Sequence, residues 1–302
     1  MNGTRRVIIY VPGMKPKPPA EIHRANLWRC LLEGVDRVRP QLTEALRSQA
    51  DCFRLVPWPH LFYPAPSDAS VDEPGLERLL RLPGPEPLDL REAGHWKKQL
   101  TRLAYLVSDA LPFLIDWVAN PTLKATMTDS LRYLRNEANI AEQIRDLVAD
   151  ALIEAWRDDA RILVIGHSMG SVVAWDTLWA LSRRQHSDLR VDQFLTLGSP
   201  LGLNFMRHRL LGAREKGPLQ YPDNIRRWVN LAAVGDLTAL DRTFADDYRE
   251  MLQLGLVESI SDRGDLTNYF RGADGLNVHR CYGYMINPHT ATAIADWWQS
   301  DA

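Results

Sequence analysis

Arg161-Ile162-Leu163-Val164-Ile165-Gly166-His167-Ser168-Met169-Gly170 is the stretch whose reading decides the fold. Ile162 to Ile165 is an unbroken apolar run, the pattern of a strand buried on both faces. It enters a G-x-S-x-G pentapeptide, and Val172, Val173, Trp175 and Leu178 then open a helix. A serine nucleophile needs such a sharp strand-to-helix turn, and glycines two residues to either side remove side chains that would collide there. The turn lifts the Ser168 hydroxyl above the sheet. It also leaves the Met169 N–H at a helix start, where it can stabilise an oxyanion.

Outward from this centre, Val7 to Val11 reads as a buried strand ending at Pro12-Gly13-Met14. Leu27, Leu31, Val35, Leu42 and Leu46 follow at roughly helical spacing, with Gly34 and Pro40 as interruptions, and Phe53 to Trp58 reads as a second strand. This β-α-β opening implies a parallel sheet with a crossover helix. Pro64 to Pro87 is rich in Pro, Asp and Glu and reads as a loop. Leu103, Leu106, Val107, Ala110, Leu111, Leu114 and Val118 then form an apolar stripe at helical spacing, kinked at Pro112. Residues 64–136 are therefore expected as a helical cap inserted in one domain spanning 1–302. Helices simply packed on the sheet would give the same stripe. Ile140 to Leu152 is a further amphipathic helix, Phe194 to Leu197 and Trp228 to Ala232 are strands, and Asn287-Pro288 caps a terminal helix. The expected class is α/β, with a doubly wound, mostly parallel sheet.

Composition narrows the function. The chain has 302 residues, with 36 Lys and Arg against 38 Asp and Glu, a net charge of -2. That length can bury a large core, and a near-neutral balance argues against a dedicated nucleic-acid binder. Cys30, Cys52 and Cys281 lie too far apart for a disulfide framework or a zinc motif, which fits a reducing compartment. The apolar run at Val7 to Val11 is too short for a signal peptide. Leu103 to Val118 carries Asp109, Pro112 and Asp116 and makes a poor membrane span. A cytoplasmic protein is expected, with no metal or organic cofactor.

An inert serine needs a base, and the base needs a carboxylate to fix its tautomer, so Asp and His are sought after Ser168 in that order. Asp236 sits in the loop closing the strand at 228–232, where ligands gather in open parallel sheets; Asp241 is the alternative. Among the later histidines, His186 lies in a polar loop and His208 between arginines. His279, in a loop before the terminal helix, is the better base, with His289 the alternative. Met14, after Gly13, is a second candidate oxyanion donor, although a Pro-Gly pair is also ordinary turn chemistry. His167 reads as structural, Ser199 as a turn or site-lining residue, Cys281 as a weaker nucleophile, and Trp58 as core.

These residues resemble the α/β-hydrolase superfamily, particularly bacterial lipase/esterase-like serine hydrolases. The resemblance rests on Gly166-His167-Ser168-Met169-Gly170, Thr196-Leu197-Gly198-Ser199-Pro200, Asp236-Leu237-Thr238-Ala239-Leu240-Asp241 and His279-Arg280-Cys281-Tyr282-Gly283-Tyr284-Met285. It covers 140–300 well and 5–63 loosely, and it does not cover 64–136. The His-Gly usual before the oxyanion loop is Pro12-Gly13 here. The resemblance implies a triad of Ser168, Asp236 and His279, with Met169 and Met14 at the oxyanion, cleaving carboxylic esters through an acyl-enzyme. The alternatives are a lipase or phospholipase on lipid esters, with membrane contact through the cap, and a hydrolase-fold module active only within a larger complex. A small-molecule or lipid ester is the expected partner, and no protein partner is indicated.

Overall fold

The structure, a computed structural model, describes residues 5–94, 121–185, 188–239 and 243–300. Six strands form one parallel sheet in the order β2-β1-β3-β4-β5-β6: β1 Arg6–Val11, β2 Phe53–Leu55, β3 Arg161–His167, β4 Val191–Leu197, β5 Ile225–Ala233 and β6 Ser259–Leu266. A two-stranded hairpin, β7 Arg271–Gly272 and β8 Gly275–Leu276, follows. The fold is thus the α/β, doubly wound sheet expected, consistent with an α/β-hydrolase-like architecture.

Alternation along each strand divides the core into two layers. Val7, Ile9, Val11, Val164, Phe194 and Trp228 face the helices Ile140–Arg157 and Met169–Ala180. Ile8, Tyr10, Leu163, Ile165, Leu195 and Leu231 face the helices Ala20–Val38, Cys281–Met285 and Pro288–Gln299. Covering both faces is what lets β1 and β3 be apolar without a break. The terminal helix starts as its sequence predicts: Asn287 Oδ1 accepts the His289 N–H at 3.0 Å, and Pro288 occupies the first turn.

Two expectations are corrected. The 64–87 loop contains the helix Glu73–Arg81, whose Pro74 sits in the first turn, where no intrahelical N–H is needed. Its Leu76 and Leu79 are buried beside Tyr269 and Phe270. Gly34 does not interrupt its helix, which runs through from Ala20 to Val38; a Cβ there would lie 2.8 Å from Ile286 O, so the glycine lets the helix close on that segment. Strand β6 and the hairpin carry no apolar pattern and were not expected. The stripe at Leu103 to Val118, Asp241 and His186 lie outside the described residues.

Sheet order sets the location of the site. The chain crosses from β1 to β2 in one direction, and β3 lies on the other side of β1. The order therefore reverses between β1 and β3. In open α/β sheets ligands bind at the carboxyl ends of the strands beside such a reversal. Gly13 ends the turn after β1, and Ser168 follows β3.

Candidate active site

Ser168 joins β3 to the helix Met169–Ala180 with φ 53° and ψ -129°. That region is costly for a residue with a side chain and is held only by its surroundings. Here Ser168 N–H donates to Leu197 O at 2.9 Å, and Ser171 N–H donates to Ser168 O at 2.9 Å. The Ser171 hydroxyl also reaches Ser168 O, at 2.6 Å, and contacts the Ser199 hydroxyl at 2.6 Å. The flanking glycines are required by packing. A Cβ on Gly166 would lie 2.5 Å from Ser171 Cα, and one on Gly170 would collide with the carbonyls of Val11 and Pro12. The elbow helix is therefore seated directly on the end of β1. A Cβ on Gly13 would lie 2.9 Å from Ser168 Cβ, which puts the Pro12-Gly13-Met14 turn against the serine. The Trp58 indole fixes that turn by donating to Pro12 O at 2.8 Å. Ser168 is half-buried, while Met169 and Met14 are buried.

Asp236 follows β5 through Gly235, which has φ 83°, and is buried. Its Oδ2 accepts from His279 Nδ1 at 2.8 Å and from the Tyr284 hydroxyl at 2.6 Å. Oδ1 accepts from Thr238 N–H at 3.0 Å and from the Thr238 hydroxyl at 2.6 Å. Burial raises the Asp236 carboxyl, but the charge of His279 and the hydrogen bonds from His279, Thr238 and Tyr284 outweigh it and leave the group below the usual carboxylate value. Thr238 Oγ1 also lies 2.8 Å from His279 Nδ1. A hydroxyl has one hydrogen, and here it goes to Asp236, so Thr238 can only accept from the ring. Nδ1 then carries the proton, and Nε2 is the basic nitrogen.

His279 reaches this position from the loop after β8. Its N–H donates to Asn277 Oδ1 at 3.1 Å, and its carbonyl accepts from His167 Nε2 at 3.0 Å. The His167 and His279 rings lie 4.8 Å apart. Burial pushes His167 well below the usual histidine range, so it is a neutral donor tying the His279 loop to the elbow. Its role is thus more specific than the structural one expected. Among the described residues no hydrogen bond joins Ser168 Oγ to His279. Such contacts are often long before substrate binds.

Asp236 and His279 are thus brought together, beside the residue preceding Ser168. His208 and His289 are exposed, and buried Cys281 is a free thiol. Ser199 lies beneath the elbow, and Trp58 is buried as expected. Sequence reasoning missed Thr238 and Tyr284. It also missed the part played by Gly198, at φ 56°, where a Cβ would lie 2.7 Å from Asp236 Oδ2. These residues lie within the segments 196–200, 236–241 and 279–285, but no spacing rule gives them a role. Among the described residues, no group of three or more His, Cys, Asp or Glu side chains could hold a metal, and no helix is long and apolar enough to cross a membrane.

Residues 94–210 match the PGAP1-like alpha/beta domain family, which has a hydrolase-like fold. No curated protein and no solved structure matches the chain. The matched residues include Ser168 and end before Asp236 and His279, covering less than half of the chain. The chain is similar to that family over β3, the elbow helix and β4, and the similarity points to a function of hydrolase type.

Proposed function

We propose that the protein is a serine hydrolase that cleaves carboxylic esters through an acyl-enzyme. The observation that carries this reading is the hydrogen count at Thr238, which puts the proton on His279 Nδ1 and leaves Nε2 as the base. His279 Nε2 takes the Ser168 proton as Oγ bonds to the ester carbonyl carbon, and the Met169 and Met14 N–H groups receive the charge gathering on the carbonyl oxygen. The imidazolium, stabilised by Asp236, returns the proton to the departing alcohol as its C–O bond breaks. Water then attacks the acyl-enzyme by the same route and frees the acid.

Labelling by a fluorophosphonate probe tests the nucleophile without knowledge of the substrate. Wild type should label on Ser168 and hydrolyse 4-nitrophenyl esters. Ser168→Ala should lose labelling and about 10⁴-fold or more of the turnover with an unchanged melting temperature. Retained turnover in that variant would refute the assignment. Folded wild type that does not label would favour a module active only within a complex. A rise in kcat/KM from short to long acyl chains would turn the reading toward a lipase or phospholipase.

A further inference from the structure

Next to the turn after β1 lies a cavity of about 230 Å³, lined largely by prolines together with Pro12, Lys17, His23, Leu55 and Tyr63. Pro12, in its lining, directly precedes Gly13, which packs on Ser168, so the cavity and the proposed nucleophile share the turn after β1. Two of its polar groups have unused hydrogen-bonding capacity. The Lys17 ammonium donates to Met14 O at 2.8 Å and to Lys15 O at 3.1 Å, leaving one of its three N–H groups over. The His23 ring is buried, with Nδ1 3.0 Å from the Tyr282 hydroxyl, while Nε2 is buried with no hydrogen-bond partner among the described residues. With Nδ1 accepting from the Tyr282 hydroxyl, Nε2 carries a hydrogen that no group among the described residues receives. A buried donor left in that state is costly unless a ligand completes it.

The charges nearby are mostly positive, Lys15, Lys17 and Arg280 against Asp72 and Asp129, the latter accepting from the Tyr63 hydroxyl. Arg280 follows His279 and pairs with Asp72. Among the described residues, neither Lys15 nor Lys17 has an ion-pair partner. Burial, followed by the neighbouring positive charges, pushes Lys17 down to about 7 and His23 to about 3. A negative group placed there would offset the positive charges and favour the charged form of Lys17.

We infer that this cavity is a subsite for an anionic group, a carboxylate or a phosphate, carried by the ester substrate and held by Lys17 Nζ and His23 Nε2. The inference rests on the serine hydrolase reading and gives its substrate class: esters with a negative charge a few atoms from the carbonyl. Lys17 would also act as a positioning residue, because the same ammonium ties down the turn that carries Met14.

Two matched pairs of substrates test it. 4-Nitrophenyl hydrogen adipate against 4-nitrophenyl hexanoate places the charge on the acyl side, and 1-hexanoylglycerol 3-phosphate against 1-hexanoylglycerol places a phosphate on the alcohol side. In wild type at least one charged ester should exceed its neutral partner tenfold or more in kcat/KM. Lys17→Met should bring that ratio close to one, His23→Phe should lower it, and Lys17→Arg should keep most of it. Reading a ratio separates anion recognition from general damage to the turn. Calorimetric binding of adipate or inorganic phosphate, lost in Lys17→Met, reads the subsite without turnover. Labelling of Ser168 with no charge preference and no anion binding overturns the subsite alone. Anion binding without labelling or turnover overturns the hydrolase reading and leaves an anion site. Absence of all three overturns both.

Discussion

Asp236 and Asp176 are both buried carboxylates, and they behave in opposite ways. Asp236 lies at the end of β5, where four hydrogen bonds from Thr238, Tyr284 and His279 converge on it, and its carboxyl is held below the ordinary value. Asp176 lies in the elbow helix and accepts from Leu211 N–H at 2.8 Å and from the Tyr133 hydroxyl at 3.0 Å; burial pushes it up to about 6. Burial penalises the charged form in both places, and the supply of donors decides the outcome. A carboxylate kept ionised in a dry site needs several elements to aim at it, and at Asp236 that assembly also orients a histidine. Asp176 links the elbow helix to the helix Pro121–Leu134 and to the chain at Leu211, a fastening with no part in the proposed chemistry.

The sharpest way to break this contrast is to neutralise each acid in turn. Asp236→Asn should lower kcat/KM about 10⁴-fold with the fold retained, because an amide donating toward His279 favours the wrong tautomer. Comparable loss in Asp176→Asn would erase the distinction. A smaller effect is expected on removing one donor. Tyr284→Phe takes a hydrogen bond from Asp236 and the 2.9 Å acceptor from Ala233 N–H. The cost should be about 1–3 kcal/mol in chemical unfolding and about tenfold in kcat/KM. The lost bond favoured the charged form, so the Asp236 carboxyl rises. The stability it contributes is present above the unfolded carboxylate value and lost as pH falls through the folded one, and in Tyr284→Phe that loss should begin at higher pH.

The smallest effect, and one of opposite sign, belongs to Asp176. Between about pH 4 and 6 the folded chain holds a proton that the unfolded chain has released, so stability from this group declines as pH rises through that window. Asp176→Asn should keep activity within about twofold and remove that decline, a relative change of about 1–3 kcal/mol between pH 4 and 7 in urea unfolding. A variant with an unaltered pH slope would show that Asp176 is already ionised at low pH.

Legibility from sequence followed the same division between pattern and convergence. Strand β3 and the elbow could be read because double-sided burial leaves an apolar run and the turn demands glycine at fixed offsets. Asp236 and His279 followed from chain order and loop position, and the structure pairs them. Thr238 and Tyr284 were not legible as donors, since what brings them to Asp236 is the meeting of a turn and a short helix. Strand β6, Ser-Ile-Ser-Asp-Arg-Gly-Asp-Leu, was missed because it is an edge strand with exposed and half-buried positions alternating, where charges protect an open edge and erase the apolar signal. In the helix Glu73–Arg81, Pro74 and Gly75 read as loop punctuation. The proline suits a first turn, and a Cβ at Gly75 would lie 2.5 Å from Arg271 O.

The backbone at Ser168 has a selective consequence. A residue at φ 53° and ψ -129° costs of order 1–3 kcal/mol, a large share of the 5–15 kcal/mol that keeps an ordinary domain folded. Glycine would tolerate that conformation with little penalty. A descendant of this chain that had stopped doing chemistry would thus gain robustness from one change at 168 and nothing from keeping the hydroxyl. The strain at Ser168 is therefore a cost in stability that only use of its oxygen would offset.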